Sequence, residues 1–198
     1  MALKATIFKA VLRIADLDRH YYAEHALTLA RHPSETDQRL MVRLLAFALH
    51  ADAALAFTRG LSTGDEPDLW QKDLSGAIQT WIELGQPDTR RLRSAAGRAE
   101  RVWVYSYSGR SADIWWQQVR SAVAGMDHLS VRNLPAEAVH DLAGLAQRSM
   151  QLHCTIQDGQ VWVADDRHSV QVPVVTWRPW KESRRMWWTP VTAIPSPC

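Results

Sequence analysis

The chain has 198 residues, 46% hydrophobic and 22% charged, which fits one domain with a sizeable core and excludes a disordered polymer. Its two cysteines, Cys154 and Cys198, stand in no CxxC spacing, so a disulfide framework is excluded and a reduced, cytoplasmic setting is expected. No apolar run has the length of a signal-peptide core or a membrane span, and a formal charge of +2 does not advertise bulk affinity for nucleic acid.

The first element is a half-buried strand over residues 3–15, with Thr6, Phe8, Ala10, Leu12 and Ile14 on one face and Lys9 and Arg13 on the other. A polar turn at Asp16–His20 leads to a second strand over Tyr21–Ala30, giving an antiparallel pair. His32-Pro33-Ser34 ends that strand. Ser34 reads as the N-cap of a helix reaching about Asp52, with Asp37 three residues on and an apolar face of Leu40, Met41, Leu44, Leu45, Phe47, Ala48 and Leu49. Glu35 then falls in the first turn, where the helix dipole favours an ionised carboxylate; dipole complementation alone also accounts for it.

Leu55–Leu61 reads as a short strand ending near Gly60. The stretch Asp65 to Pro87 follows, with two apolar runs separated by the turn residues Asp73-Leu74-Ser75-Gly76. In the second run Ile78, Thr80, Ile82 and Leu84 share one face, while Gln79, Trp81, Glu83 and Gly85 share the other. Pairing the runs brings Asp68 and Glu83 toward one sheet edge, where mutual repulsion would be relieved by Mg²⁺ or Mn²⁺. Asp65 and Glu66 are further carboxylates, and spacing leaves open which of these and Asp68 points inward.

A helix over Pro87–Glu100 packs through Leu92, Ala95, Ala96 and Ala99. Arg90, Arg91, Arg93 and Arg98 lie on or near its outer faces, either as a solvated surface or as a phosphate-facing ridge. A buried strand over Arg101–Tyr107, a helix over Ser111–Val123, a strand over Leu129–Leu134 and a helix over Pro135–Arg148 follow. From Met150 a meander runs through a hairpin at Asp158-Gly159, a strand at Val161–Val163, a turn at Asp165–His168 and a strand over Val170–Trp177. Ser106 and Ser108, close to the expected cleft, read as hydrogen-bonding residues. Trp70, Trp81 and Trp103 read as core filling rather than base-stacking platforms.

The tail is different. Arg178, Lys181, Arg184 and Arg185 face only Glu182, for a net charge of +3, leaving −1 for the rest of the chain. Residues 1–177 are therefore expected to form the domain, and 178–198 a Pro- and Trp-rich basic tail without fixed structure. Its tryptophans and arginines could stack on bases or dock on a partner. The eight histidines show no paired zinc spacing, and no phosphate loop or GxSxG elbow occurs.

The order helix with Glu35, strand, strand with Asp68, strand with Glu83, helix, strand resembles the αβββαβ core of the PD-(D/E)xK nuclease-like superfamily. Pro67-Asp68 stands at the PD position and Glu83-Leu84-Gly85 at (D/E)xK. A resemblance to the YaeQ family covers more of the chain, through MALKATIFKA at the start and then LARHPSET, TRGLSTGDEPDLW, WIELGQPD, IWWQQ and TIQDG. It implies an α/β fold, a mixed sheet flanked by helices of restriction-endonuclease-like type with added antiparallel strands. It also implies a family for which a role in transcription has been proposed.

The superfamily resemblance implies metal-assisted phosphodiester hydrolysis. Asp68, Glu83 and the Leu84 carbonyl would hold Mg²⁺ or Mn²⁺, with Asp65 and Glu66 as spare ligands, and Glu35 would orient a water. The motif lysine is replaced by Gly85. Lys72, Arg90 or Arg91 are candidate substitutes for its cation, and Gln86 could supply a neutral hydrogen bond. A non-catalytic module binding nucleic acid, a protein or the transcription machinery is the alternative. A monomer with no membrane association is expected.

Overall fold

A computed structural model of the chain describes residues 5–58 and 65–180. The elements are β1 (Thr6–Asp16), β2 (Tyr21–Arg31), α1 (Asp37–Leu49), β3 (Leu55–Phe57), β4 (Leu69–Lys72), β5 (Ile78–Leu84), α2 (Thr89–Ala96), β6 (Ala99–Ser106), α3 (Arg110–Val119), β7 (Leu129–Asn133), α4 (Ala136–Ala143), β8 (Ser149–Gln157), β9 (Gln160–Ala164), β10 (Ser169–Gln171) and β11 (Val175–Arg178). Among the described residues, no helix is long and apolar enough to cross a membrane.

The strands form two mixed sheets. The alternation in the first strand is realised as a β1–β2 hairpin, in register from Thr6↔Arg31 to Asp16↔Tyr21. β8 joins the other side of β1 in parallel, from Lys9↔Ser149 to Asp16↔Ile156, and β9 and β10 complete the order β10-β9-β8-β1-β2. Phe8, Ala10, Leu12 and Ile14 are buried on one face, as period-two alternation demands of a sheet covered on one side.

The second sheet has the order β11-β7-β6-β5-β4-β3. β3, β4 and β5 run antiparallel. β5, β6 and β7 run parallel, because α2 and α3 provide the crossovers. β11 closes the far edge antiparallel to β7. At the turn between β4 and β5, Asp73 Oδ1 accepts the N–H groups of Ser75 and Ala77, and Gly76 takes φ +89°.

Two apolar clusters fix the layers. The larger draws on both sheets and on α1 and α4. Every α1 residue from Leu40 to Ala48 is buried, so α1 is a helix enclosed on all sides rather than an amphipathic surface helix. The smaller cluster joins Leu92 and Ala95 of α2 and Trp115 and Val119 of α3 to Trp81, Val102, Val104, Leu129 and Val131. Since Ile82 and Leu84 belong to the larger cluster and Trp81 to the smaller, α1 and α2 cover opposite faces of the second sheet.

Several boundaries differ from the sequence expectation. Thr36 is the N-cap of α1, its side chain accepting the Arg39 N–H, because the Ser34 hydroxyl is engaged with His32 Nδ1 at 2.6 Å. Glu35 therefore precedes the helix instead of lying in its first turn. α2 is shorter than expected, capped by Asp88 and ended at Gly97, which releases Ala99 and Glu100 into β6. α4 stops at Gly144 rather than Arg148. The expected strand Val170–Trp177 splits into β10 and β11, which belong to different sheets, since Pro173 between them has no N–H for a ladder. The expected strand at Leu55–Leu61 extends to Phe57, and its end at residues 59–61 lies outside the described residues. So do residues 181–198 of the tail, whereas Arg178 is the last residue of β11.

Candidate functional site

The three acids singled out in the sequence are all buried: Glu35 is 5%, Asp68 2% and Glu83 3% exposed. Buried carboxylates require partners, because desolvation of an isolated charge is prohibitive. Each has been given its own arginine.

Asp68 sits in the bend just before β4. Its Oδ1 accepts Arg39 Nη2 at 2.6 Å, and its Oδ2 accepts the Leu84 N–H at 2.8 Å. Arg39, in the first turns of α1, also donates Nη1 to the Leu84 carbonyl at 3.1 Å. One guanidinium thus spans the carboxylate and the carbonyl expected to hold a cation. Gly85, where the sequence reading expected the motif lysine to be replaced, has φ +92°, and a Cβ built there would lie 3.6 Å from Arg39 Nη1. Tyr107 lies within the field of the same guanidinium; burial pushes its phenol above the ordinary range, Arg39 pulls it back, and the fields of Asp68 and Glu35 add to the rise.

Glu83 shares its strand face with Trp81. Its Oε1 accepts Trp81 Nε1 at 2.6 Å and Arg91 Nε at 2.8 Å. Arg91 is on α2, so the partner of Glu83 approaches from the sheet face opposite to that covered by α1. Burial raises the Glu83 carboxyl above its ordinary range, Arg91 and Trp81 pull it back, and Asp68 raises it further. Glu83 thus feels the field of Asp68, while the cations of the two acids come from opposite layers.

Glu35 is held by Arg43, whose Nη1 lies 3.1 Å from both carboxylate oxygens. The His32 N–H donates to the same group at 3.3 Å. Both members of this ion pair are nearly inaccessible.

The remaining candidates are dispersed. Asp65 is exposed and Glu66 half-buried; their backbone carbonyls accept Arg98 Nη1 at 2.9 Å and Arg91 Nη2 at 2.6 Å. Lys72 is exposed, its Nζ 3.5 Å from the centre of the Trp70 ring, and the register of β4 shifts between Gln71 and Lys72. Gln86 donates to Ser111 Oγ at 2.8 Å. Arg90 is exposed on α2. Among the described residues, no three His, Cys, Asp or Glu side chains gather as a metal centre would need. With Asp68 Oδ1 and the Leu84 carbonyl bonded to Arg39, and Glu83 Oε1 bonded to Arg91, this donor set as arranged does not fit a divalent cation.

Sequence reasoning missed Arg39, Arg43 and Tyr107. A signal was available for one of them. Arg43 interrupts the apolar run Leu40-Met41-Val42-Arg43-Leu44-Leu45, and a cation inside such a run implies a buried anion as its partner. Arg39, one turn earlier, is separated from Asp68 by 29 residues, and local periodicity carries no trace of that pairing.

The family model described as YaeQ protein matches residues 1–174. The uncharacterised YaeQ proteins of Salmonella typhi and Escherichia coli (strain K12) are 48% and 47% identical over 178 residues, covering 90% of this chain and 98% of theirs. Crystal structures of YaeQ proteins from Xanthomonas axonopodis pv. citri and Pseudomonas syringae superpose with a TM-score of 0.85 each, at 48% and 37% identity. Both cover 88% of this chain, and 98% and 97% of their own. The chain belongs to the YaeQ family.

Proposed function

We propose that this chain is a nucleic-acid-binding relative of PD-(D/E)xK nucleases in which arginines have taken over from the metal, so that it binds without cutting. One observation carries the reading: Arg39 bridges Asp68 and the Leu84 carbonyl at 2.6 and 3.1 Å. A guanidinium held there is permanently charged and cannot make a bound water more acidic. The element order α1-β3-β4-β5-α2-β6 supports the ancestry. The groove beside α2, lined by Arg90, Arg91, Ser94 and Arg98 together with Asp65 and Asp88, supports contact with phosphates. A role near transcription remains compatible with such binding.

The hydrolytic reading is favoured by a different observation. Leu69 pairs with Ile82, which sets Asp68 and Glu83 opposite one another where the strands meet. It requires Arg39 and Arg91 to leave their carboxylates, and Mg²⁺ or Mn²⁺ to enter.

Two measurements separate the readings. Calorimetric titration of wild type and Glu83→Ala with Mn²⁺ should give no site-specific heat in either protein, and labelled DNA and RNA should survive incubation. Fluorescence anisotropy should show oligonucleotide binding that weakens steeply with salt, and Arg90→Ala and Arg98→Ala should each reduce the log–log salt slope by about one. Mn²⁺ heat that disappears in Glu83→Ala, accompanied by cleavage, would establish the hydrolytic reading instead. No binding at low salt would overturn both nucleic-acid readings.

A further inference from the structure

The carboxyl ends of the three parallel strands gather polar groups that the acid–arginine pairs do not use. β5, β6 and β7 end side by side there. The chain then departs in two directions: α3 covers the face of the smaller apolar cluster, and α4 that of the larger. Divergence of this kind at neighbouring strand ends is the arrangement at which open α/β sheets take ligands.

Two helices begin at this point. α3 has ten residues and α4 eight, and neither has a side-chain cap; their N-cap positions are Gly109 and Pro135. A Cβ built on Gly109 would lie 3.3 Å from the Ala136 Cβ, so the two helix starts are neighbours. Apart from Ala112, whose N–H donates to the Gly109 carbonyl at 2.9 Å, first-turn N–H groups have no acceptor within their own helix, and the dipoles of both helices place partial positive charge at their starts.

A second feature is independent of the helices. Ser106, the last residue of β6, is 0% exposed, and its Oγ has no hydrogen-bond partner. Asn133, paired with it in register on β7, leaves Oδ1 in the same condition. Strand alternation places Ser106 on the face of Val102 and Val104, the face covered by α3, so its hydroxyl lies on the side of the sheet that α3 covers, at the strand end from which the chain runs to that helix. A buried hydroxyl without a partner costs stability unless something completes it. Asn133 can present either end of its amide. At the rim, Ser111 Oγ donates to the Ser108 carbonyl at 3.1 Å and accepts from Gln86, which ties the end of β5 to the start of α3. Arg110 opens α3, and the first-turn carboxylates Asp113 and Glu137 are exposed.

We propose that this junction binds a phosphate group. The N–H groups of Arg110 and Ser111 and those of the first turn of α4 donate to its oxygens, and the hydroxyl of Ser106 and the amide of Asn133 close it from below. A phosphate is the anion that two converging helix starts are suited to hold. The inference is independent of the reading of the acid–arginine pairs.

The test follows thermal denaturation of the full chain in inorganic phosphate against chloride of matched ionic strength. The expected result is a saturable rise in Tm with phosphate. Ser106→Ala should weaken the apparent affinity about tenfold, as loss of one hydrogen bond to a charged group would. Pro135→Asp should raise Tm in chloride, by giving α4 a carboxylate cap, and should remove the further rise with phosphate. A trinucleotide with a 5′-phosphate and its 5′-hydroxyl counterpart identify the source. A larger shift with the phosphorylated trinucleotide than with inorganic phosphate assigns a strand end, and equal shifts assign the free anion. The proposal is overturned if phosphate acts no more strongly than chloride, or if both variants respond as wild type does. Should Ser106→Ala not fold, Pro135→Asp decides alone. Phosphate binding by a chain that fails to bind oligonucleotides would sink only the proposed function.

Discussion

At the scale of single residues, the chain places ionisable groups where water is scarce and compensates most of them locally. His50 is the main exception. Its Nε2 meets Tyr105 Oη at 2.7 Å, its ring lies 4.7 Å from that of Trp103, and burial, with the fields of Arg19, Arg132 and Arg101, pushes its pKa down to about 3. The unfolded chain takes up a proton at this residue near the ordinary value of 6.5 while the folded chain does not, so acid favours unfolding. The contribution of His50 is fully present above about pH 6.5 and falls progressively as the pH drops toward 3. Urea unfolding of wild type and His50→Gln across pH 5–7 should therefore show a stability difference that shrinks with acidification. A constant difference would mean that His50 takes up its proton equally in the folded and the unfolded chain. Cys154 follows the same logic in a thiol: burial pushes it up to about 12, which leaves it a poor nucleophile.

At the scale of elements, helices and strands supply the partners that single residues need. α1 carries Arg39 and Arg43 four residues apart, and together they reach Asp68 and Glu35. α2 sends Arg91 to Glu83 from the other side of the sheet. Gly85 ends β5 with φ +92°, and its N–H donates to the Tyr105 carbonyl at 2.8 Å, so the left-handed turn aims the Leu84 carbonyl at Arg39. Alanine there would meet Arg39 Nη1 only at 3.6 Å, an ordinary contact. Its cost lies in the backbone, about 1–2 kcal/mol for a side chain held in the left-handed region. Denaturant titration should show that loss for Gly85→Ala and no loss for Gly125→Ala, where an added Cβ meets nothing within 4 Å. Equal stability of wild type and Gly85→Ala would mean that the turn relaxes.

At the scale of the whole molecule, β1 and β8 join residues 9–16 to residues 149–156 in parallel register. Contacts between the two ends of the chain thus complete the first sheet, and the larger apolar cluster runs from that sheet through α1 and α4 into the second. A core shared in this way couples the sheets. Calorimetric unfolding should give one transition whose van't Hoff and calorimetric enthalpies agree. Two resolved transitions would mean that the sheets unfold separately. The basic residues of α2 and the junction at the ends of β5, β6 and β7 lie on the second sheet and its helices. The first sheet contributes burial for α1, and with it the rigidity of Arg39 and Arg43.

Much of the fold was legible in the sequence because it rests on local chemistry. Alternation marked β1, turn residues marked the β4–β5 and β8–β9 hairpins, and apolar periodicity marked α1 and α4. The quoted segments marked the family. Glycines and Pro173 moved the boundaries, since short helices and strands are decided by where the backbone can continue. The sequence likewise singled out Glu35, Asp68 and Glu83 as unusual acids. Only the tertiary structure decided what those acids face, because Arg39 and Asp68 are 29 residues apart and their 2.6 Å contact follows from packing α1 against the sheet. Ion pairing depends on distance in space, and nothing in local periodicity encodes which guanidinium arrives at which carboxylate.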